Sequence, residues 1–182
     1  LAIAGLLTNL GAPTAAADLD LAELAGDWVR IDPQPENDRA RERAVDGALD
    51  DLSWVMRTVA RPILRRSTTP PDRYSFLLGE RYPFGIAIGN SRREPRPLML
   101  DGRERPFTDD DEQGVAHDVR LEDAIETRWR TDQAHGLTRF RLSRDRRMLI
   151  VESLLQITAM SNVDAIAFTT HFVRPVLPEA AR

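Results

Sequence analysis

Apolar residues recur at every second position along most of the chain between Tyr74 and Phe172, and this spacing predicts β-strands. Charged residues such as Glu126, Arg128 and Arg139 take the opposite phase, so each strand has one buried face and one wet face. Short polar links join the runs, and about eight or nine such strands predict a mainly β chain that forms an antiparallel up-and-down barrel. The alternating sets are Tyr74, Phe76 and Leu78; Phe84, Ile86 and Ile88; Leu98 and Leu100; Val115, His117, Val119 and Leu121; Ile125, Thr127 and Trp129; Thr138, Phe140 and Leu142; Leu149, Val151, Ser153 and Leu155; and Ile166, Phe168, Thr170 and Phe172.

One stretch departs from this alternation. Within residues 38–66, apolar residues from Val45 to Leu64 fall three and four positions apart, which predicts an amphipathic helical segment between the first strand (26–31) and the second. Pro62 is expected to break or kink it. The last two predicted strands are apolar on both faces, so we expect the helical stripe to cover their outer side.

The first residues have the pattern of an export signal. An apolar run, Leu1 to Leu10, is followed by Ala15 and Ala17 in the A-x-A arrangement that signal peptidase cuts. We therefore expect residues 1–17 to be a signal peptide truncated at its start, residues 18–182 to form a single domain, and the mature protein to be periplasmic or secreted.

Composition and the absence of known motifs disfavour several classes of function. The formal net charge is −4, and all 25 basic residues are arginine; an acidic balance disfavours nucleic acid as a partner. The chain has no cysteine, which removes disulfides and thiol catalysis. Sequence signatures of hydrolases, zinc proteases and phosphate-binding loops are absent, and no two histidines share a metal-ligand spacing. We predict no metal and no cofactor, and the pattern favours a protein that is not an enzyme.

Three residues carry a family resemblance. Gly26 and Trp28 open the first strand as G-x-W, and Arg174 follows the last strand. This layout resembles the calycin group, especially the lipocalins, and a family of uncharacterised bacterial exported proteins. The resemblance implies that Gly26, Trp28 and Arg174 meet at the closed end of the barrel and serve structure. Fatty-acid-binding relatives insert a helix-turn-helix after the first strand, which makes Val45 to Leu64 an alternative lid over the barrel mouth. Arg30 stands where nitrobindin-like haem barrels have a glycine, which counts against haem.

The inward phase combines apolar walls with a few polar groups, as small-molecule pockets do. We therefore predict an exported protein that holds or carries an apolar or amphipathic small molecule. The alternative is a structural envelope protein with a filled core, and a cavity of roughly 300 Å³ or more would separate the two. The predicted ligand-binding residues are Phe76, Phe84, His117, Thr127, Trp129, Thr138, Phe140, Ser153, Phe168, Thr170 and Phe172.

Two further features suggest other activities. His117 is the one strongly titratable side chain in the inward phase, so a lipocalin-like isomerase or hydrolase that uses His117 as its acid or base is an alternative function. Arg57, Arg61 and Arg65 recur every four residues beside Arg66, and such a basic ridge is suited to peripheral contact with anionic lipid.

Overall fold

Ten antiparallel strands form one sheet in the part of the chain that the computed structural model describes, residues 19–109, 112–158 and 163–175. The predicted signal peptide lies outside these residues. The helices are α1 (Leu21–Leu24), α2 (Pro35–Ala48) and α3 (Trp54–Thr68), and the strands are β1 (Gly26–Arg30), β2 (Arg73–Leu78), β3 (Ile86–Asn90), β4 (Arg93–Pro97), β5 (Arg105–Asp109), β6 (Glu112–Arg120), β7 (Ala124–Thr131), β8 (Ala134–Leu142), β9 (Met148–Ile157) and β10 (Ile166–Val173).

The strand order is β4-β3-β2-β1-β10-β9-β8-β7-β6-β5, so chain neighbours are sheet neighbours except where β1 pairs with β10. The sheet curls into a half-barrel whose inner face carries the large apolar side chains. β4 and β5 are its edges, and hydrogen bonds do not join them in the described structure. The predicted up-and-down antiparallel class is confirmed, with ten strands instead of eight or nine.

The two edge strands were not predicted, because they lack alternation. β4 reads REPRP and β5 reads RPFTD, and proline is tolerated at a sheet edge, where it also discourages pairing with other chains. The expected strand through Leu98 and Leu100 was wrong, since both residues lie in the link after β4. Phe84 lies in the turn before β3 with 39% of its surface exposed, so its predicted inward position was also wrong.

The helical segment is a helix-turn-helix and not one helix. The Ser53 hydroxyl accepts a hydrogen bond from the Met56 amide and caps α3 after a turn at 49–53. Pro62 lies inside α3, which continues to Thr68. None of the described helices is long and apolar enough to cross a bilayer.

Ion pairs join α2 to α3. The arginines that recur every four residues on α3 meet three carboxylates with the same spacing, two on α2 and one in the turn after it. The predicted basic ridge is therefore largely turned toward α2 and this turn. The N–O distances are 3.9 Å for Arg57–Asp50, 3.0 Å for Arg61–Asp46 and 2.6 Å for Arg65–Glu42.

Two apolar clusters fill the half-barrel at its two ends. The closed-end cluster includes Trp28, Phe76 and Phe172. The mouth cluster packs Val45, Leu49 and Leu64 of the helices against inner-face residues of the sheet, which are Leu155, Ile166, Trp129 and Phe168. The helix pair therefore covers the mouth, as the lid alternative implied. The expectation that it covers the outer side of the last two strands was wrong, because its partners lie in the inward phase.

Candidate functional site

The closed end is held by the predicted structural residues. The Arg174 guanidinium donates hydrogen bonds to the backbone carbonyls of Glu23 (2.6 Å) and Ala25 (2.7 Å). The same group lies 4.4 Å from the centre of the Trp28 ring, within the range of a cation–π contact. Gly26 has φ +106°, and a Cβ there would lie 2.9 Å from Arg174 Nη1, so glycine is needed at this position.

A cavity of about 160 Å³ lies at the other end, between the C-terminal end of α3 and the inner face of the sheet. Two aromatic side chains, Trp129 and Phe168, connect its wall to the mouth cluster. The lining residues are Ser67, Thr69, Pro70, Pro71, Tyr74, Trp129, Leu137, Thr138, Val151, Ser153, Leu154, Leu155, Phe168, Thr170 and Phe172.

The structure brings six of the predicted pocket residues to this cavity, and these are Trp129, Thr138, Ser153, Phe168, Thr170 and Phe172. Phe172 belongs to the closed-end cluster as well and lies where that cluster meets the cavity. Phe76 and Phe140 lie in the closed-end cluster without lining the cavity, and their ring centroids are 5.6 Å apart. The interior is thus solid at one end and has a pocket at the other. The pocket volume of about 160 Å³ is below the roughly 300 Å³ expected of a ligand cavity, so on that criterion the interior is nearer to the filled core.

Three hydroxyls form a polar row on the cavity wall. Thr138 and Ser153 are directly opposite each other on β8 and β9, and Thr170 on β10 is opposite Val151, one step along β9 on the same face. Within the described residues, the hydroxyls of Thr138, Ser153 and Thr170 have no hydrogen-bond partner. We call these three residues the hydroxyl row. Thr170 as a residue is only 5% exposed, but its hydroxyl reaches the cavity space, where water or a ligand can bond to it.

Tyr74 forms part of the cavity wall and lies in the inward phase that the alternation predicted. Its ring packs edge-on against Phe140 at 5.2 Å and Phe172 at 5.1 Å. Burial raises the pKa of the Tyr74 phenol above its ordinary value, against a smaller opposing effect of Arg93 and Arg92. The phenol therefore stays neutral and adds no charge to the wall.

The rim of the cavity is tied to the β3–β4 turn. Arg92 donates hydrogen bonds to the carbonyls of Thr69 (3.0 Å) and Pro70 (3.2 Å), and the Asp72 amide donates to the Ser91 hydroxyl (3.0 Å). These bonds position the loop that follows α3. Arg92 lies more than 20 residues from this loop in the sequence and outside any strand, so hydrophobic periodicity could not predict its contact with the loop.

An ion pair on the inner face bridges the seam between the sheet edges. Arg96 on β4 contacts both carboxylate oxygens of Asp118 on β6, at 2.8 and 2.9 Å, and Thr127 donates to the same carboxylate at 2.7 Å. Burial raises the pKa of Asp118, but Arg96, the Met99 amide and Thr127 outweigh it and hold that pKa below its ordinary value. Thr127, predicted to bind ligand, is thus engaged here and does not line the cavity.

His117 faces the outside of the half-barrel. The register places His117 opposite Arg128, whereas Asp118 lies opposite Thr127 on the inner face. The predicted inward phase of β6 was wrong, because Arg96 holds Asp118 inside and this turns Val115 and His117 outward. The alternative enzyme mechanism therefore loses its proposed internal acid or base. No group of three or more His, Asp or Glu residues in the described part of the chain is arranged to hold a metal ion.

No family model and no curated protein matches this chain. The chain is similar to several solved structures at low sequence identity. The "REP1-NXSQ fatty acid transporter" is 14% identical, with 86% of this chain and 99% of that chain covered and a TM-score of 0.43. Fatty-acid-binding protein 1 of Echinococcus granulosus is 7% identical, with 85% and 99% covered and a TM-score of 0.43. Secretory abundant heat soluble protein 4 from Ramazzottius varieornatus is 10% identical, with 90% and 100% covered and a TM-score of 0.47.

The topology itself fits the calycin fold that the sequence predicted. Ten up-and-down antiparallel strands curl into a half-barrel, and a helix-turn-helix lies between the first two strands. Gly26, Trp28 and Arg174 meet at the closed end, as the resemblance implied.

Proposed function

We propose that the half-barrel binds a small apolar or amphipathic molecule in the cavity beneath the helix pair. The observation that carries this proposal is the hydroxyl row, which lies unbonded in a wall otherwise made of aromatic and aliphatic side chains. A few placed polar groups in an apolar wall are typical of ligand pockets, whereas a filled core leaves no hydroxyl without a partner.

The volume limits the ligand. Sites for drug-sized molecules span roughly 300–1,000 Å³, and the cavity has about 160 Å³. An apolar cavity of about 150 Å³ accommodates benzene. The bound group is therefore about one ring or a short chain in size, and a longer molecule requires displacement of the helix pair.

The proposal is tested by titrating the protein with toluene and following side-chain methyl signals by NMR. We expect saturable shifts at Val151 and Leu155 in the cavity and none at Leu149 in the closed-end cluster. Ser153→Leu fills the cavity and should abolish the shifts. Thr169→Leu adds a similar side chain on the outer face of β10 and should leave them intact. Absence of saturable binding, or unchanged binding in Ser153→Leu, would refute the proposal.

A second proposal is that the outer face of α3 contacts anionic lipid. Val55, Val59 and Ile63 form an exposed apolar stripe there, each with more than half of its surface accessible, and Trp54 is 79% exposed at the start of the helix. Exposed apolar patches mark interaction sites, and apolar helix faces flanked by arginine suit the membrane interface. Arg66 lies beside this stripe and has no ion-pair partner among the described residues.

Flotation with phosphatidylcholine vesicles, with and without an equal share of phosphatidylglycerol, tests this contact. We expect preference for the anionic vesicles. The double variant Val59→Glu with Ile63→Glu should weaken binding about tenfold or more, and Arg66→Gln about fivefold, since one arginine near an anionic surface contributes about 1 kcal/mol. Thr58→Glu, exposed on the same helix, is the control. Equal weakening by all three variants, or no binding, would contradict the proposal.

Export is a separate proposal that rests on the residue pattern of 1–17. Expression of the full precursor with secretion, followed by N-terminal sequencing, tests it. A mature chain that begins at Asp18 supports cleavage after the Ala15–Ala17 pattern, and retention of residues 1–17 in the cell-associated protein contradicts it.

A further inference from the structure

The wall of the cavity carries no charge. Each described residue that lines it is apolar or neutral and polar. On the neighbouring inner face, Arg96 donates hydrogen bonds to both carboxylate oxygens of Asp118, so these two charges are already paired. Arg92 at the rim donates to the carbonyls of Thr69 and Pro70. The wall itself therefore offers no charged partner to an ionised ligand, and the nearby cations Arg92 and Arg93 lie outside the lining.

The polar groups that the wall does offer are hydroxyls. A hydroxyl both donates and accepts, so the hydroxyl row can bond either to a carbonyl or to an alcohol. Thr138 and Ser153 are directly opposite each other, so a single ligand oxygen can lie within reach of both. Thr170 is opposite Val151 and is therefore a diagonal neighbour of Ser153 on the same face. The aromatic side chains Trp129 and Phe168 supply flat apolar surface beside this row.

We infer that the cavity selects an uncharged molecule, about one ring in size, that carries one hydroxyl or carbonyl oxygen. This inference rests on the proposed function and specifies its ligand class. A carboxylate or ammonium group of the same size is excluded, because burying an ion without a partner is far more costly than burying a bonded hydroxyl. A purely apolar ring fits the space but leaves the hydroxyl row unbonded.

Four ligands that share one ring and differ by at most two non-hydrogen atoms separate these cases. The protein is titrated by NMR with benzyl alcohol, toluene, benzoate and benzylammonium at neutral pH. We expect benzyl alcohol to bind about three- to tenfold more tightly than toluene, the range for one net hydrogen bond. Benzoate and benzylammonium should bind at least about 30-fold more weakly than benzyl alcohol.

Variants of the hydroxyl row identify the contact. The triple variant Thr138→Val, Ser153→Ala, Thr170→Val keeps the shape of the wall and should erase the advantage of benzyl alcohol over toluene. Thr169→Val, the neighbouring position on the outer face of β10, is the matched control and should retain that advantage. If the triple variant does not fold, Thr170→Val alone should lower the advantage at least twofold.

The outcomes distinguish the inference from the proposed function. If neither benzyl alcohol nor toluene binds, the proposed function itself fails. If both bind equally and the triple variant changes nothing, the cavity binds ligands but does not select an oxygen, and this inference is overturned. Tightest binding by benzoate would overturn it as well, and loss of that binding in Arg92→Gln would show that the rim arginine leaves its carbonyls to meet the anion.

Discussion

The two ends of the half-barrel differ in whether their polar groups have hydrogen-bond partners within the protein. At the closed end, Arg174 is bonded to two carbonyls and the Trp28 indole donates to the Leu24 carbonyl at 2.7 Å. At the mouth, the three members of the hydroxyl row have no partner among the described residues, beside a cavity of about 160 Å³. The closed end is complete as protein alone, whereas the mouth offers hydrogen bonds that only another molecule can complete.

The same contrast holds for the surface around each end. The helix pair over the mouth exposes the apolar stripe of Val55, Val59 and Ile63. Away from the mouth, the exposed apolar side chains Leu78 and Phe84, at the end of β2 and in the turn before β3, form no such stripe. Satisfied polar groups and buried apolar surface are what stability requires. Departures from both rules at one end are the reason we propose binding there, and this proposal can be tested by comparing substitutions at the two ends.

The largest expected effect is at the closed end. Trp28→Ala removes a fully buried ring, its indole hydrogen bond and the cation–π contact with Arg174. We expect it to lower the free energy of unfolding by about 3–5 kcal/mol, measured by urea denaturation. Trp54→Ala, at an exposed position over the mouth, should change it by less than about 0.5 kcal/mol. Comparable losses for the two variants would contradict the contrast.

The seam ion pair should give the next largest effect. Arg96→Ala leaves the buried Asp118 carboxylate without its cation, and we expect a loss of about 2 kcal/mol, below the usual figure for buried pairs because Arg96 is half exposed. Arg103→Ala, which removes a highly exposed arginine 3.9 Å from Asp101, should cost less than about 0.5 kcal/mol. Urea denaturation at neutral pH measures both. An Arg96 variant as stable as the wild type would show that the seam does not depend on this pair.

Two threonines, one with a hydrogen-bond partner and one without, allow the same substitution to be compared at two sites. Thr127→Val removes a hydroxyl that donates to Asp118 at 2.7 Å, and we expect a loss of about 1–2 kcal/mol. Thr170→Val removes a hydroxyl that reaches the cavity and has no partner within the described chain, so stability should stay within about 0.5 kcal/mol of the wild type or rise. Thermal unfolding of the two variants side by side measures the difference. Equal destabilisation would mean that the hydroxyl row is bonded within the protein.

The smallest effect concerns pH where the helix pair joins the sheet. The Asn37 amide donates to His171 Nδ1 at 3.1 Å, which requires that nitrogen to be unprotonated. Burial, and then Arg141, lower the pKa of His171 below its ordinary 6.5. The unfolded chain therefore binds the proton more readily, so stability is full above about pH 6.5 and falls as the pH drops toward the folded-state pKa. His171→Gln should reduce the loss of unfolding free energy between neutral pH and pH 5, as measured by denaturation curves at each pH. An unchanged pH dependence would show that another group causes the loss.

Sequence periodicity predicted the strands that are buried on one side. β2 and β7 to β10 follow the alternation of Tyr74, Trp129, Phe140, Val151 and Phe172, because each packs one face into a shared interior. The closed-end residues were also predicted, since G-x-W and a late arginine are short motifs. Six cavity residues followed from the same alternation.

What escaped prediction depends on contacts between distant segments. The phase of β6 is set by Asp118, whose partner Arg96 lies 22 residues away, and an ion pair of that kind leaves no periodic signal. The edge strands lack alternation because their prolines and arginines need no buried face. The arginines of α3 suggested a free basic ridge, and only the fold shows that Asp46 and its neighbours on α2 neutralise most of it.

A crystal structure of the protein with benzyl alcohol tests the central claim most directly. We expect the ring to lie between Trp129 and Phe168, with its oxygen about 3 Å from a hydroxyl of Thr138, Ser153 or Thr170, and the closed end to be unchanged around Trp28. Benzyl alcohol found only on the exposed face of α3, or a cavity closed by the protein's own side chains, would contradict it.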